Sequence, residues 1–110
     1  DPNCLVSETG DSLLHLALFC DQKKVVEVLL RNGACPNLAN NEGLTPLHVM
    51  CIKDYDYGLA KLFFEINDDI RQTVEINSKD KLGRTALQLA VQKLLPDVVD
   101  LLLARGADRS

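Results

Sequence analysis

The stretch Glu42-Gly43-Leu44-Thr45-Pro46-Leu47-His48 recurs, degraded but in register, on both sides of itself, and no other feature limits the fold so strongly. Upstream it reads Thr9-Gly10-Asp11-Ser12-Leu13-Leu14-His15-Leu16-Ala17. Downstream it reads Leu82-Gly83-Arg84-Thr85-Ala86-Leu87-Gln88-Leu89-Ala90. A second block follows the first and third copies, as Val25-Val26-Glu27-Val28-Leu29-Leu30-Arg31-Asn32-Gly33-Ala34 and Val98-Val99-Asp100-Leu101-Leu102-Leu103-Ala104-Arg105-Gly106-Ala107. The glycines set the period: Gly10 to Gly43 is 33 residues, Gly43 to Gly83 is 40, and Gly33 to Gly106 is 73, the sum of the two steps. Such a period marks a stack of like units, each touching its neighbours, rather than a chain folded about one central core.

The same local physics repeats in each unit. Thr45, with Ser12 and Thr85 at the matching places, is a natural helix N-cap, its hydroxyl accepting from an early free N–H. Pro46 falls at the first helical position, where its missing N–H costs nothing; Leu13 and Ala86 replace it in the outer units. Leu14, Leu16, Ala17 and Leu18 predict a short, almost continuously apolar helix that must be buried on most sides. Val25, Val26, Leu29 and Leu30 carry a second helix, with Glu27 and Arg31 on its solvent side. Gly33 and Gly106 suit the left-handed position that ends a helix. Asn3, Asn37 and Asn77 precede the next hairpin, where Asn bonds to turn backbone.

A period near 33 with a T-P-L-H-x-A core resembles the ankyrin repeat family, and the match covers essentially the whole chain. The resemblance implies an all-α fold, an ankyrin-repeat α-solenoid of helix-turn-helix units joined by short β-hairpin turns. Residues 1–110 then form one domain: 1–9 the tail of a preceding repeat and hairpin, 10–42 repeat one, 43–82 repeat two with an insertion, and 83–110 repeat three. Asp1-Pro2-Asn3 matches the unit tail Cys35-Pro36-Asn37, and Gly106-Ala107-Asp108 closes unit three, so the chain reads as a segment of a longer array. Leucines facing absent neighbours are expected to be partly exposed, and end-to-end association through uncapped termini is open to an otherwise monomeric chain.

Unit two breaks the period. Its helix-to-helix link, Lys53 to Gly58, is one residue longer than in unit one, and six further residues follow Phe64. Leu59, Leu62, Phe63, Ile66, Ile70 and Val74 keep helical spacing. They predict either a longer second helix or a short extra turn after Asn67, with Asp68 and Asp69 near that turn's start.

Composition narrows the function. A net charge of −4 and a pI near 5.0 give no broad attraction to nucleic acid or anionic membrane. No apolar run long enough to span a membrane and no charged-then-apolar leader is visible. Cys4, Cys20, Cys35 and Cys51 form no C-x-x-C pair, and four unbridged thiols in an intracellular, cytoplasmic or nuclear compartment are the expectation. No clustered zinc set exists, and Asp54 and Asp56 alternate without the glycine and glutamate of a calcium loop. No phosphate-cradling glycine loop, H-E-x-x-H or G-x-S-x-G occurs, so neither a catalytic site nor a cofactor is expected.

In the family pattern the histidine of T-P-L-H is structural, which carries over to His15 and His48, beside Thr45, Pro46 and Leu47. The resemblance also implies a concave groove of hairpin tips and first helices that receives a protein or peptide partner. By position that groove takes Glu8, Thr9, Asp11, Phe19 and Cys20 from unit one. Unit two adds Asn41, Glu42, Leu44, Ile52 and Lys53, and unit three adds Lys81, Leu82, Arg84, Gln92 and Lys93. Phe19, Leu44, Ile52 and Leu82 are more apolar than a solvated surface requires, and charge runs from acidic to basic along the units. The expected function is a non-catalytic protein–protein interaction module. Two alternatives stand: a regulatory or targeting segment of a larger enzyme, channel or effector that docks intramolecularly, and an architectural spacer.

Overall fold

Ser12 and Thr85 each begin a helix in extended backbone, and each closes a reciprocal capping box with the residue three positions on. Thr45 makes the same pair of bonds with His48. The cap hydroxyls accept the N–H of His15, His48 and Gln88 at 3.3, 3.4 and 3.2 Å. The cap N–H groups donate back to the side chains of those residues at 3.1, 3.2 and 3.1 Å. Two otherwise orphaned donors are thereby satisfied at the start of each unit.

In the computed structural model, residues 10–52 and 57–107 are described. Six helices follow in order: α1 (Leu13–Phe19), α2 (Lys23–Arg31), α3 (Pro46–Ile52), α4 (Tyr57–Asp69), α5 (Ala86–Gln92) and α6 (Pro96–Ala104). They pair as α1/α2, α3/α4 and α5/α6. First helices pack on first helices, α1 on α3 on α5, and second helices pack on second helices, α2 on α4 on α6. The result is an all-α, two-layered solenoid of three helix pairs.

Gly33 and Gly106 follow α2 and α6 at φ +100° and +95°. The N–H of Ala34 reaches back to Leu29 O, and that of Ala107 to Leu102 O, both at 3.0 Å. These are Schellman closures, which satisfy carbonyls the helix end leaves free. The longer α4 closes alike, Gln72 N–H to Asn67 O at 2.8 Å, but with Arg71 at φ +59° where the sister units hold glycine.

The insertion therefore resolves as a longer helix. The helix ends at Asp69, so Ile70 and Val74 lie beyond it, both half-buried against the core. Asp68 and Asp69 stand in the last turn of α4, not at the start of a new one, where the helix dipole disfavours negative charge. Arginines from both neighbouring units offset this. Asp69 meets Arg31 of α2 at 3.3 Å, and Asp68 takes both terminal nitrogens of Arg105 at 2.9 and 2.7 Å. The Arg105 guanidinium also lies 4.8 Å from the centre of the Phe64 ring.

The middle of the core belongs to unit two, where Val49, Cys51 and Phe63 have no exposed surface. Unit one differs from the sequence expectation. Leu16 and Val25 are 38% and 44% exposed, whereas their counterparts in unit three, Leu89 and Val98, are 2% and 6% exposed. Those counterparts pack against unit two; in unit one the same face has no described helix pair against it.

Candidate partner-binding groove

Two tight turns connect the units, and each is held by one short side chain. Asn40 Oδ1 accepts the N–H of Glu42 at 2.9 Å and of Leu44 at 3.0 Å. Asp80 Oδ1 accepts the N–H of Leu82 at 3.0 Å and of Arg84 at 2.9 Å. Successive tips are joined by Lys81 N–H to Glu42 O at 3.0 Å. Gly43 allows that approach: at φ +77°, a Cβ there would lie 2.9 Å from Lys81 N. Neither Asn40 nor Asp80 stands out in the repeat comparison, because the two differ in residue type. Their shared separation of 40 residues, equal to the local period, is the signal that identifies them.

The histidines connect the helix layer to these turns. His15 Nε2 meets Leu44 O, and His48 Nε2 meets Arg84 O, each at 2.8 Å. A carbonyl only accepts, so Nε2 carries the proton, and Nδ1 is the acceptor for the cap N–H. Burial pushes the His48 pKa below its ordinary value. Both side chains are buried, His15 at 0% and His48 at 1% exposed, with every ring nitrogen engaged within the protein. Each joins its own helix to the turn of the following unit.

The expected groove residues fall into three groups. Asn41, Glu42, Lys81, Leu82, Gln92, Lys93 and Cys20 are exposed, Leu82 by 76%. Phe19, Leu44 and Ile52 are half-buried and packed against the core, so they offer edges rather than whole side chains. Asp11 corrects its expectation: it is 8% exposed and accepts from Asn40 Nδ2 at 2.9 Å, a bond between units rather than a contact surface. Arg84 is likewise committed, its Nε 2.9 Å and its terminal nitrogen 2.8 Å from Asp80 Oδ2. Burial alone would raise the Asp80 pKa, but the bonds from Arg84 and Leu82 hold the carboxyl below the usual carboxylate range. The positive charge at the third unit's tip therefore comes from Lys81, with Lys93 at the end of α5. Glu8, Thr9 and Lys53 lie outside the described residues.

The insertion adds a cleft of about 390 Å³, lined by Phe64, Asn67, Arg71, Val74, Ile76 and Arg105 among others. Asn67 is 1% exposed; its Nδ2 donates to Phe63 O at 2.8 Å, while its Oδ1 finds no donor in the protein. Among the described residues no group of three His, Cys, Asp or Glu side chains is placed to hold a metal ion. No described helix is long and apolar enough to cross a membrane. No disulfide joins the described cysteines, and burial pushes the Cys51 thiol up to about 12, far from a reactive thiolate.

A stack of capped helix pairs, closed by glycine and tied across units by buried histidines, defines a helical repeat scaffold. The family model for ankyrin repeats, in three copies, matches residues 14–110, and the chain belongs to the ankyrin repeat family. It is similar to the putative ankyrin repeat protein FPV031 of fowlpox virus, 30% identical over 95 residues, covering 86% of this chain and 27% of the relative. It is 28% identical to the human transient receptor potential cation channel subfamily A member 1, over 93% of this chain and 9% of the channel. It is 32% identical to the E3 ubiquitin-protein ligase KEG of Arabidopsis thaliana, over 98% of this chain and 7% of the ligase. The chain thus spans about a quarter or less of the length of each of these relatives. Ankyrin repeats generally mediate protein–protein interaction.

Proposed function

We propose that this chain is a non-catalytic interaction module that presents its turn tips and first helices to a partner protein or peptide. The observation that carries this reading is the fixed row of tips. Asn41, Glu42, Lys81 and Leu82 are exposed on turns whose backbones are bonded internally and to each other, so binding orders little of the module itself. Leu82 supplies an apolar anchor, flanked by a lysine on one side and a glutamate one unit away. The unbridged thiols of Cys20 and Cys51 accord with a reducing, intracellular setting.

The test is affinity capture with the chain as bait, followed by binding measurements on a captured partner with L82D, K81E and an R71E control. The expected result is a loss of at least ~10-fold in affinity for L82D, the weight of one buried leucine, with R71E unchanged. Binding retained by L82D and K81E but lost in R71E would replace this reading with a second one. In that second reading the insertion cleft docks a neighbouring segment of a larger protein. The cleft beside Arg71 favours it, as does the similarity to parts of a channel and a ubiquitin ligase.

A further inference from the structure

The two ends of the stack carry the two halves of one interface. Aligning the units by their glycines pairs Val91, Val99 and Leu103 of unit three with Leu18, Val26 and Leu30 of unit one. The unit-one residues are 1%, 0% and 1% exposed, because that face packs against unit two. In unit three Val91 is 54% exposed, and Val99 and Leu103 are only half-buried. The opposite face is reversed. Leu16 and Val25 of unit one are exposed by 38% and 44%, while Leu89 and Val98 of unit three are buried against unit two. Around Val91 and Val99 the open face forms a shallow, mainly apolar hollow of about 470 Å³, walled by Leu94, Leu95 and Pro96.

We propose that this unit-three face docks the unit-one face of a second copy of the chain, so that copies add head to tail. The contact continues the repeat interface already made twice inside the molecule, with α1 and α2 of the second copy placed as α5 and α6 are placed on α3 and α4. Charge complements it. Asp97 and Lys24 are each the second residue of their helices, so the continued register sets α6 Asp97 level with α2 Lys24 of the next copy, and both are exposed. Second helices of adjacent units already pair by charge in this way through Arg31–Asp69 and Asp68–Arg105. Because the two faces differ, the contact is heterologous, and a stack without a closing rotation grows as an open array.

Sedimentation velocity on the intact chain and on V91E and V25E tests this. Both substitutions fall on exposed helical positions, one on each face. The wild-type chain is expected to rise in mean mass with concentration, and each variant alone to lose at least ~10-fold in association constant. The decisive sample is the mixture. A V25E chain keeps an open unit-three face and a V91E chain keeps an open unit-one face, so the two together should form a discrete one-to-one dimer that grows no further. At solvated positions that cannot disturb the core, K24E and D97K should each weaken assembly, and a K24E/D97K double variant should regain it. A monomer at every concentration overturns the proposal, and so does a mixture that stays monomeric. Association abolished by only one of the two face variants also overturns it, because that marks a symmetric contact.

Discussion

Nδ1 of His48 faces the Thr45 N–H at 3.2 Å, so a proton placed on that nitrogen would point at another donor. Burial adds to this and is the main reason the pKa is depressed. The unfolded chain therefore binds the extra proton more readily, between the ordinary value of 6.5 and the lower folded one. The stability that depends on neutral His48 is complete above that window and declines as the pH falls through it. Unit three shows which replacement separates cap from clamp, since Gln88 keeps the capping box without an imidazole. His48→Gln should preserve α3 but leave the Arg84 carbonyl without its donor, costing about 1–3 kcal/mol. Urea unfolding at about pH 7.5 and about pH 5.5 measures both effects. A variant as pH-sensitive as the wild type would show that His48 is not the titrating group. Arg71 gives a prediction of opposite sign. It occupies the left-handed position at φ +59° that Gly33 and Gly106 fill elsewhere, so Arg71→Gly should stabilise by about 1 kcal/mol. A lower melting temperature would mean that the Arg71 side chain contributes more than its backbone costs.

At the scale of the element, α4 is the part of the molecule that departs from its sisters. It has 13 residues where α2 and α6 have 9, and the extra turn carries Asp68 and Asp69 to arginines on both sides. Both pairs are solvent-facing, so their effect is small and screened by salt. The double substitution D68N/D69N should lower the melting temperature modestly in low salt, with the difference vanishing in concentrated salt. A difference that survives high salt would point to packing of the Arg105 stem on Phe64 instead. The caps, the glycine stops and the clamp histidines were legible in the sequence because each is local: an oxygen, a flexible backbone or a ring at a fixed spacing. The direction of the insertion was not. Apolar spacing continues through Ile70 and Val74 whether the chain stays helical or turns, and only tertiary contacts separate the two. For the same reason Asp11 and Arg84 read as surface residues, although Asn40 and Asp80 take them up. A carboxylate's partner 29 or 4 positions away leaves no mark on its own neighbourhood.

Across the whole molecule, burial falls from the middle unit towards both ends. Val49, Cys51 and Phe63 are completely covered, while Val25 and Val91 on the outer faces keep 44% and 54% of their surface. In a linear stack each unit is held by its own stability and by the interfaces it shares; unit two shares two of these, and each outer unit shares one with it. Local opening should follow that count. Amide hydrogen exchange followed by mass spectrometry is expected to show α3 and α4 slowest. The α1/α2 and α5/α6 pairs should exchange earlier, through opening of one unit at a time. Head-to-tail docking adds a second dependence, because it covers α1/α2 of one copy and α5/α6 of the next. Raising the concentration should therefore slow exchange in the outer pairs and leave α3 and α4 unchanged. Equal protection in all three pairs at every concentration would mean that the units open together, and that neither the gradient of burial nor the open end faces govern the stability of the stack.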